Sequence, residues 1–424
     1  MDAILKLTMV GLGDVKKWVT ADSGRRLGLV LAVGLGLVFW ALVQRPYYQG
    51  LDYTFVIATA LLHGQLGTHY APAWLNELVP AGRGLYYSVF PLGAVVSVLP
   101  LSALVWAGVL RTYPVDLLVA VLAAASAGFA YFYTLVRPEF SLAKRVMLAV
   151  WVVGGTWFMT NLLFAGSWQL ALGFAVAGQL AALYWTVVRP RPFWAGVALA
   201  VAFGNRTEVM LTTPTLLVFL LRHDAPAGEP WLAVLRRNWL HVARFGAAPV
   251  VLGLATLAYN RARFGSITDF GYAHIPGVLR EPWYQHGIFS LYSLNGNAQQ
   301  MLFEGWRRLH QWPFLIPTGW GGSIVLASPF LLLLVRKPRG DSVRVVLAWL
   351  TIVALTLVLW LHGNPGGWQY SYRYAMILLP WFLVLLVEYL PTQITALEMG
   401  LWALSVGISV YATYLFMWSS YLPQ

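Results

Sequence analysis

A few carboxylates and arginines stand in short polar clusters that interrupt an otherwise apolar sequence. Asp52 follows the first apolar run, and Glu77 comes further along in a polar, aromatic stretch. Arg206 and Glu208 break a later run, and Arg373 lies in a cluster rich in Gly, Trp and Tyr. A carboxylate can accept the proton of an attacking hydroxyl, and an arginine grips a phosphate at two points. One carboxylate beside several arginines therefore suits an anionic lipid headgroup.

Transfer of a sugar from a lipid phosphate would require little beyond such a set. The leaving phosphate is already a stabilised anion, so it needs cations rather than a general acid. The acceptor hydroxyl must lose its proton as it attacks, and one positioned carboxylate can take it. A glycoside hydrolase, in contrast, uses two carboxylates. One Asp with arginines is sufficient for the transfer, and the sequence offers that set.

The composition indicates that these clusters belong to a membrane protein. The chain has 424 residues, of which 59% are apolar and only 10% charged, which excludes an ordinary cytosolic enzyme. Uncharged apolar runs of roughly 20 residues recur, each long enough to cross a bilayer core of about 30 Å. We therefore expect an all-α polytopic membrane protein. The net charge of +12 reflects cationic cytoplasmic loops rather than a nucleic-acid partner. The absence of cysteine excludes disulfides and thiolate chemistry.

The apolar runs predict about eleven transmembrane helices. The first run is 27–43, and the later ones are roughly 86–110, 115–136, 146–165, 169–188, 193–204, 209–221, 245–259, 313–335, 345–361, 375–390 and 400–418. Segment 86–110 contains Pro91 and Pro100 and is ambiguous. If it enters the membrane and returns, most of the 28 Lys and Arg residues lie inside, whereas a full crossing divides them almost evenly. The positive-inside rule favours a re-entrant or juxtamembrane segment, a cytoplasmic N-terminus and an external C-terminus.

This topology divides the chain into a short helix and one transmembrane domain. Residues 1–25 mix lysines with apolar residues and predict a cytoplasmic interfacial helix. Residues 26–424 form a single transmembrane domain with external loops at 45–114, 260–312 and 362–374. The short runs 193–204 and 209–221 place Arg206 and Glu208 near the outer surface, where an intramembrane charge suggests function. The alternative is a buried pair that only joins helices.

Several common motifs are absent, which narrows the function. The sequence contains no GxxxxGK[ST], HExxH or GxSxG motif. No chain of carboxylates crosses the predicted core, although proton-driven transporters usually need such a relay. A transporter or flippase of a lipid-linked saccharide stays open as the alternative to an enzyme, and a catalytically inactive scaffold is a third reading.

Short motifs in the external segments resemble one superfamily of membrane enzymes. They are Gly50–Phe55 followed by Ala58–Gly64, the segment Tyr86–Gly93, the stretch Tyr259–Tyr272 and the block Gly366–Tyr374. Their order resembles the GT-C superfamily of integral membrane glycosyltransferases, in particular bacterial members similar to protein O-mannosyltransferases and aminoarabinose transferases. In that superfamily the first external loop carries a catalytic acid soon after the first span, which corresponds here to Asp52.

The resemblance implies a glycosyltransferase that uses a polyprenyl-phosphate sugar and inverts the anomeric configuration. Asp52 would be the general base, and Arg206 and Arg373 would hold the donor phosphate, with Arg261 and Arg263 as further candidates. Candidates for binding the acceptor or the sugar are Glu77, Tyr53, Tyr87, Glu208, Asp269, Trp283 and Trp368. The expected partners are the donor, the bilayer of a bacterial-type inner (plasma) membrane, and an acceptor glycan, lipid or protein. The sugar, the acceptor and the oligomeric state stay open.

Each candidate also has a simpler interpretation. Asp52 also suits the N-cap of a helix that begins near Tyr53, a role compatible with that of a base. Glu77 suits a solvated loop acid, and Arg373 suits an anchor at the membrane interface. Arg261 and Arg263 suit surface charges. The tryptophans suit an interfacial aromatic belt.

Two departures from the superfamily concern a metal. Many relatives have two adjacent acids in the first loop, whereas Asp52 is flanked by Leu51 and Tyr53. The stretch Asn161–Gln169 contains no acidic pair. His274, His286 and His362 lie far apart without ligand spacing. The sequence therefore predicts no cofactor and no metal site, while a divalent metal stays open.

Overall fold

The computed structural model describes residues 12–43, 52–72, 75, 77–224 and 229–422. Residues 1–11 of the predicted interfacial helix, and 44–51 with the Gly50 motif, lie outside the described residues. Of the described residues, 69% are helical and few lie in strands. The α-helices are, in chain order, α1 (Leu12–Val43), α2 (Tyr53–Leu62), α3 (Leu92–Trp106), α4 (Val115–Tyr133), α5 (Leu142–Gly154), α6 (Phe158–Leu163), α7 (Ser167–Leu183), α8 (Pro192–Asn205), α9 (Thr213–Leu221), α10 (Trp231–Arg237), α11 (Trp239–Phe264), α12 (Tyr292–Leu302), α13 (Ile324–Ala327), α14 (Ser342–Leu361), α15 (Leu379–Tyr389) and α16 (Ala396–Trp418).

The strands form two small antiparallel hairpins. In the first, β1 (Leu78–Gly82) pairs with β2 (Leu85–Ser88), and Leu78 faces Ser88 across the register. In the second, β3 (Arg307–Arg308) pairs with β4 (Leu315–Ile316). The first hairpin follows Glu77 directly, and therefore fixes the position of its backbone.

Six helices are long and apolar enough to cross a membrane within the part of the chain that the structure describes. They are Gly24–Val43, Val115–Val136, Ser167–Val188, Trp239–Phe264, Ser342–Leu361 and Ala396–Trp418. These helices confirm a helical membrane protein and coincide with six of the predicted spans. The predicted count of eleven is wrong.

Two of the other predicted spans are broken where they contain residues that interrupt a helix. Segment 146–165 divides between α5 and α6 at Gly154 and Gly155. Segment 313–335 contains four prolines and glycines before residue 322, and forms only α13 and a 3₁₀ stretch from Pro329 to Val335. Proline and glycine disfavour a continuous α-helix, and a window of mean hydropathy does not register them.

The polar interruption at Arg206 separates two short helices, as its sequence suggested. α8 has 14 residues and α9 has 9, with a 3₁₀ stretch at Thr207–Thr212 between them. At 1.5 Å per residue α8 is about 21 Å long, which is less than the bilayer core. The break presents Arg206 and Glu208 at the junction of the two helices.

The helices have two distinct ends, which can be recognised by their contacts. At one end of α7, Ser167 Oγ donates to Asp52 Oδ1 at 2.9 Å. At its other end, His223 Nε2 donates to the carbonyl of Val187 at 3.1 Å. We call the end with Asp52 the site end and the end with His223 the opposite end. α14 begins at the opposite end and ends at Leu361, whose carbonyl accepts from the backbone N–H of Ser290.

Buried ion pairs hold the opposite end together. Lys144 Nζ lies 2.9 Å from Glu398 Oε2, and both side chains are fully buried. Arg344 Nε donates to Glu388 Oε1 at 2.6 Å, and Glu388 is also fully buried. These contacts join α5 to α16 and α14 to α15, so the opposite end is a rigid base for the site end.

The Lys144–Glu398 pair provides a test of this base. Lys144→Met leaves a buried carboxylate with one partially exposed arginine at 3.7 Å, so we expect a loss of about 3–5 kcal/mol of stability. Lys144→Met combined with Glu398→Met removes both charges and should recover most of that loss. Thermal unfolding in detergent micelles measures both variants.

The matched control is the exposed pair Arg237–Glu229, separated by 2.7 Å. Its side chains are 43% and 20% exposed, so disruption by Arg237→Met should cost much less than loss of Lys144, because water screens the pair in part. A melting temperature of Lys144→Met equal to that of the wild type would contradict the structural role of the buried pair.

Candidate functional site

Asp52 is the N-cap of α2 and is only 7% exposed. Its Oδ1 accepts from the backbone N–H of Thr54 at 3.0 Å and from the Thr54 hydroxyl. It also accepts from Ser167 Oγ, the first residue of α7. The capping role proposed for Asp52 is therefore confirmed. One oxygen of the carboxylate receives three hydrogen bonds and is held firmly in place.

The second oxygen of Asp52 differs from the first. Oδ2 is buried and has no hydrogen-bond partner among the described residues. Burial raises the pKa of Asp52 from its ordinary value of 3.8 to about 6, although the hydrogen bonds from Thr54 and Ser167 act in the opposite direction. At neutral pH this gives an ionised carboxylate that is more basic than an exposed one and has one oxygen free to accept a proton.

Glu77 is not a solvated loop acid, contrary to the simpler interpretation. Its carboxylate accepts from the Tyr53 hydroxyl and from Trp168 Nε1, at 2.9 Å to each oxygen. Burial raises the pKa of Glu77, while the charge of Arg373 opposes that shift. Tyr53 thus links the two acids, since it follows Asp52 in the chain and contacts Glu77. We call Asp52, Tyr53, Glu77, Ser167 and Trp168 the acid cluster.

Arg373 is a buried guanidinium without a counter-ion in the described part of the chain. Arg373 is 7% exposed, and its Nε has no hydrogen-bond partner among the described residues. Nη2 reaches the Tyr374 hydroxyl at a long 3.4 Å, and Cζ lies 5.1 Å from the Tyr374 ring centroid. No described carboxylate forms an ion pair with Arg373. The charges of Glu77 and Arg373 attract each other without forming an ion pair, so Arg373 keeps its hydrogen-bond donors for a further anion beside the guanidinium.

Arg206 has its own counter-ion. Its Nη2 and Nε lie 2.8 Å and 2.9 Å from Glu208 Oε1. Its Cζ lies 4.8 Å from the Tyr374 ring centroid, so this ring contacts both arginines. The pair that the sequence suggested as an alternative is therefore present, and Arg206 stands beside Arg373 as a neutralised neighbour.

Aromatic side chains from segments 260–312 and 362–374 border the arginines. The hydroxyls of Tyr272 and Tyr284 are 2.6 Å apart, and the ring of Tyr284 lies 6.1 Å from that of His362. His362 in turn lies 6.0 Å from Tyr374. We call Tyr272, Tyr284, His362 and Tyr374 the aromatic layer. It closes the site on the side of loop 260–312.

Two other predicted site residues have structural partners, and a third is exposed. Arg263 is buried, donates to the carbonyl of Ser88, and stacks 3.7 Å above the ring centroid of Tyr259. Asp269 accepts from Gly271 N and from His274 Nε2, both at 2.7 Å, and so orders its own loop. Arg261 is exposed in the last turn of α11. Arg263 and Asp269 therefore use hydrogen-bonding groups within the protein that Arg373 leaves available for a ligand.

The remaining aromatic candidates lie around the site rather than in the acid cluster. Tyr87 packs edge-to-face on Phe264 with 5.9 Å between ring centroids. Trp368 packs against Trp320 and Phe416, at 6.0 Å and 5.2 Å. Trp283 is half exposed and lines a cavity.

Sequence reasoning missed Ser167 and Trp168 because it searched Asn161–Gln169 only for acids. It also missed the packing of the aromatic layer, although Tyr272 and Tyr374 stand in the quoted motifs. No group of three or more His, Asp or Glu residues in the described part of the chain is arranged to hold a metal ion.

Comparison with protein-family models, with curated proteins and with solved structures finds no match to this chain.

The raised pKa of Asp52 predicts a pH-dependent effect on stability. The native carboxyl keeps its proton at pH values where the unfolded one has lost it, so stability falls as pH rises from about 4 to about 6. Asp52→Asn removes this penalty. We expect it to stabilise the protein by up to about 3 kcal/mol above pH 6, and hardly at all near pH 4. Thermal unfolding across this pH range measures the difference.

Asp269→Asn is the matched control, with the opposite sign. Although burial opposes the effect, the hydrogen bond from His274 lowers the pKa of Asp269. Its replacement should therefore reduce stability at neutral pH. An Asp52→Asn variant that is less stable than the wild type at every pH would contradict the buried, unsatisfied oxygen.

Proposed function

We propose that this chain is a GT-C-type integral membrane glycosyltransferase that takes a sugar from a polyprenyl-phosphate donor and transfers it to an acceptor. One observation supports this most strongly. A buried carboxylate with a free oxygen, Asp52, belongs to the same site as a buried guanidinium without a counter-ion, Arg373. Their connection is Glu77, which contacts Tyr53 and is attracted by Arg373.

The two groups match the two charges that move in such a transfer. The acceptor oxygen bonds to the anomeric carbon while its proton passes to Asp52 Oδ2. The bond from that carbon to the phosphate oxygen breaks, and the phosphate leaves with the electron pair. Arg373 would hold this leaving phosphate through its planar fork. Because attack and departure occur on opposite faces of the carbon, the configuration inverts.

The topology follows from the same proposal. The site end faces outward, with the C-terminus external and the N-terminus cytoplasmic, in a bacterial-type inner membrane. Segment 86–110 enters the membrane and returns, which two contacts support. Tyr113, just after that segment, stacks on Phe55 at 4.7 Å, and Trp40 donates to Asp116 at 2.9 Å. The chain therefore enters α4 near the helix that Asp52 caps.

Asp52→Asn tests the base directly. It keeps the shape of the side chain but removes the proton acceptor, so turnover should fall by about 10²-fold or more with donor binding nearly unchanged. The wild-type rate should rise with pH through about 6, because Asp52 must lose its proton. Transfer of radiolabelled sugar from synthetic polyprenyl-phosphate sugars measures both.

Asp269→Asn is again the control and should keep its turnover, since Asp269 lies outside the acid cluster. Near-normal turnover of Asp52→Asn would refute the role of this base. If the wild type moves a lipid-linked saccharide across the bilayer of vesicles but transfers no sugar, the protein is a flippase instead.

Arg373→Lys tests the phosphate contact. The ammonium keeps the charge but lacks the planar fork, so donor affinity should fall about tenfold or more at nearly unchanged stability. The control is Arg206→Met with Glu208→Met, which removes a neutralised pair and should change donor affinity much less. Binding of a fluorescent polyprenyl phosphate measures both variants. Equal affinity in Arg373→Lys and wild type would place the phosphate elsewhere.

A further inference from the structure

A cavity of about 770 Å³ lies at the site end, outside the acid cluster. One wall consists of residues between 282 and 304, and the other contains Gly363 and Pro365. Its volume falls within the range of about 300–1,000 Å³ that is usual for small-molecule sites. The mechanism proposed above does not use this cavity.

The walls are held by backbone hydrogen bonds and are therefore preformed. Gly363 N donates to the carbonyl of Ile288 at 2.8 Å, and Ser290 N donates to Leu361 O at 2.7 Å. The buried amide of Asn297 donates to the carbonyl of His362 at 2.7 Å. A side chain at position 363 would have its Cβ 2.5 Å from the carbonyl oxygen of the neighbouring wall, so the close approach requires glycine.

The lining combines exposed aromatic rings with polar groups that include amides and the carboxylate of Glu304. Trp283 is 50% exposed, and Tyr292 is 77% exposed with its ring stacked on His286 at 4.0 Å between centroids. Gln299 and Gln300 contribute amides, and Oε1 of Gln300 is buried without a partner among the described residues. No Arg or Lys lines the cavity, so its chemistry does not suit a phosphate.

We propose that this cavity binds a neutral saccharide, which is the acceptor if the proposed function holds. Sugar rings present flat C–H faces that pack on aromatic rings, and their hydroxyls both donate and accept hydrogen bonds, as amides do. The role of the saccharide as acceptor rests on the proposed function, whereas its binding requires no transfer.

The position of the cavity fits an acceptor site. Trp283 precedes Tyr284, and Gly363 follows His362, so two members of the aromatic layer are the immediate chain neighbours of cavity residues. The ring of His362 contacts Tyr374, whose ring contacts both Arg206 and Arg373. One layer of side chains thus separates the saccharide cavity from the phosphate-binding arginine.

The experiment measures binding of neutral tetrasaccharides to the full chain in nanodiscs by calorimetry. The probes are maltotetraose, cellotetraose, mannotetraose and chitotetraose. We expect at least one to bind, and we expect Trp283→Ala and Gln300→Ala each to weaken that binding about tenfold. Trp312→Ala is the matched control, since Trp312 is 60% exposed but lies outside the cavity lining. Gln299→Ala, at an exposed position, replaces either variant if it does not fold.

Several results would overturn the inference. They are no binding of any tetrasaccharide at millimolar concentration, binding that survives the cavity substitutions, and displacement of bound tetrasaccharide by polyprenyl phosphate alone. Asp52→Asn should bind the tetrasaccharide normally. Normal binding without any sugar transfer would refute the proposed function and leave the cavity assigned. Transfer with an acceptor KM unchanged in Trp283→Ala would refute the cavity and leave the function.

Discussion

Charge buried in an apolar protein must be neutralised, and this requirement distinguishes the two ends of the molecule. At the opposite end Lys144 is paired with Glu398 and Glu388 with Arg344, so the charges there satisfy one another. At the site end, Asp52 Oδ2 and Arg373 Nε are buried without such partners in the described part of the chain. The opposite end pairs its carboxylates with cations, although Glu398 Oε1 has only Arg336 at 3.7 Å, whereas the site end leaves atoms that would suit a ligand with its own charge and proton.

The acid cluster shows how the fold limits the cost of that arrangement. Three donors converge on one oxygen of Asp52, from Thr54 and Ser167, and thereby fix the carboxylate without using its second oxygen. Glu77 is held similarly by Tyr53 and Trp168. Perturbed acids of this kind cluster at functional sites, because the same burial that weakens stability raises basicity. The burial that costs stability at Asp52 therefore also raises the basicity that the proposed transfer would use.

The sequence predicts the continuous helices of the fold but not the divided ones. The six long helices correspond to uninterrupted apolar runs, because length and hydropathy alone define a span. The segments at 146–165 and 313–335 are equally apolar, yet glycines and prolines divide them into short pieces that tertiary packing must hold. Mean hydropathy contains no term for these local breaks, so the count of eleven could not have been corrected from composition.

The site residues were predictable by type but not by role. Arg263 and Arg373 each stand near a tyrosine in a segment between apolar runs, and both were expected to contact phosphate. The structure distinguishes the two arginines by their hydrogen bonds. Arg263 donates to Ser88 and Asn260, whereas Arg373 Nε has no acceptor among the described residues. Ser88 is distant in sequence from Arg263, whereas Asn260 lies three residues before it. The sequence of a membrane protein therefore shows which cations are candidates for ligand binding. Only their hydrogen bonds and ion pairs in the structure decide which of them can still bind a ligand.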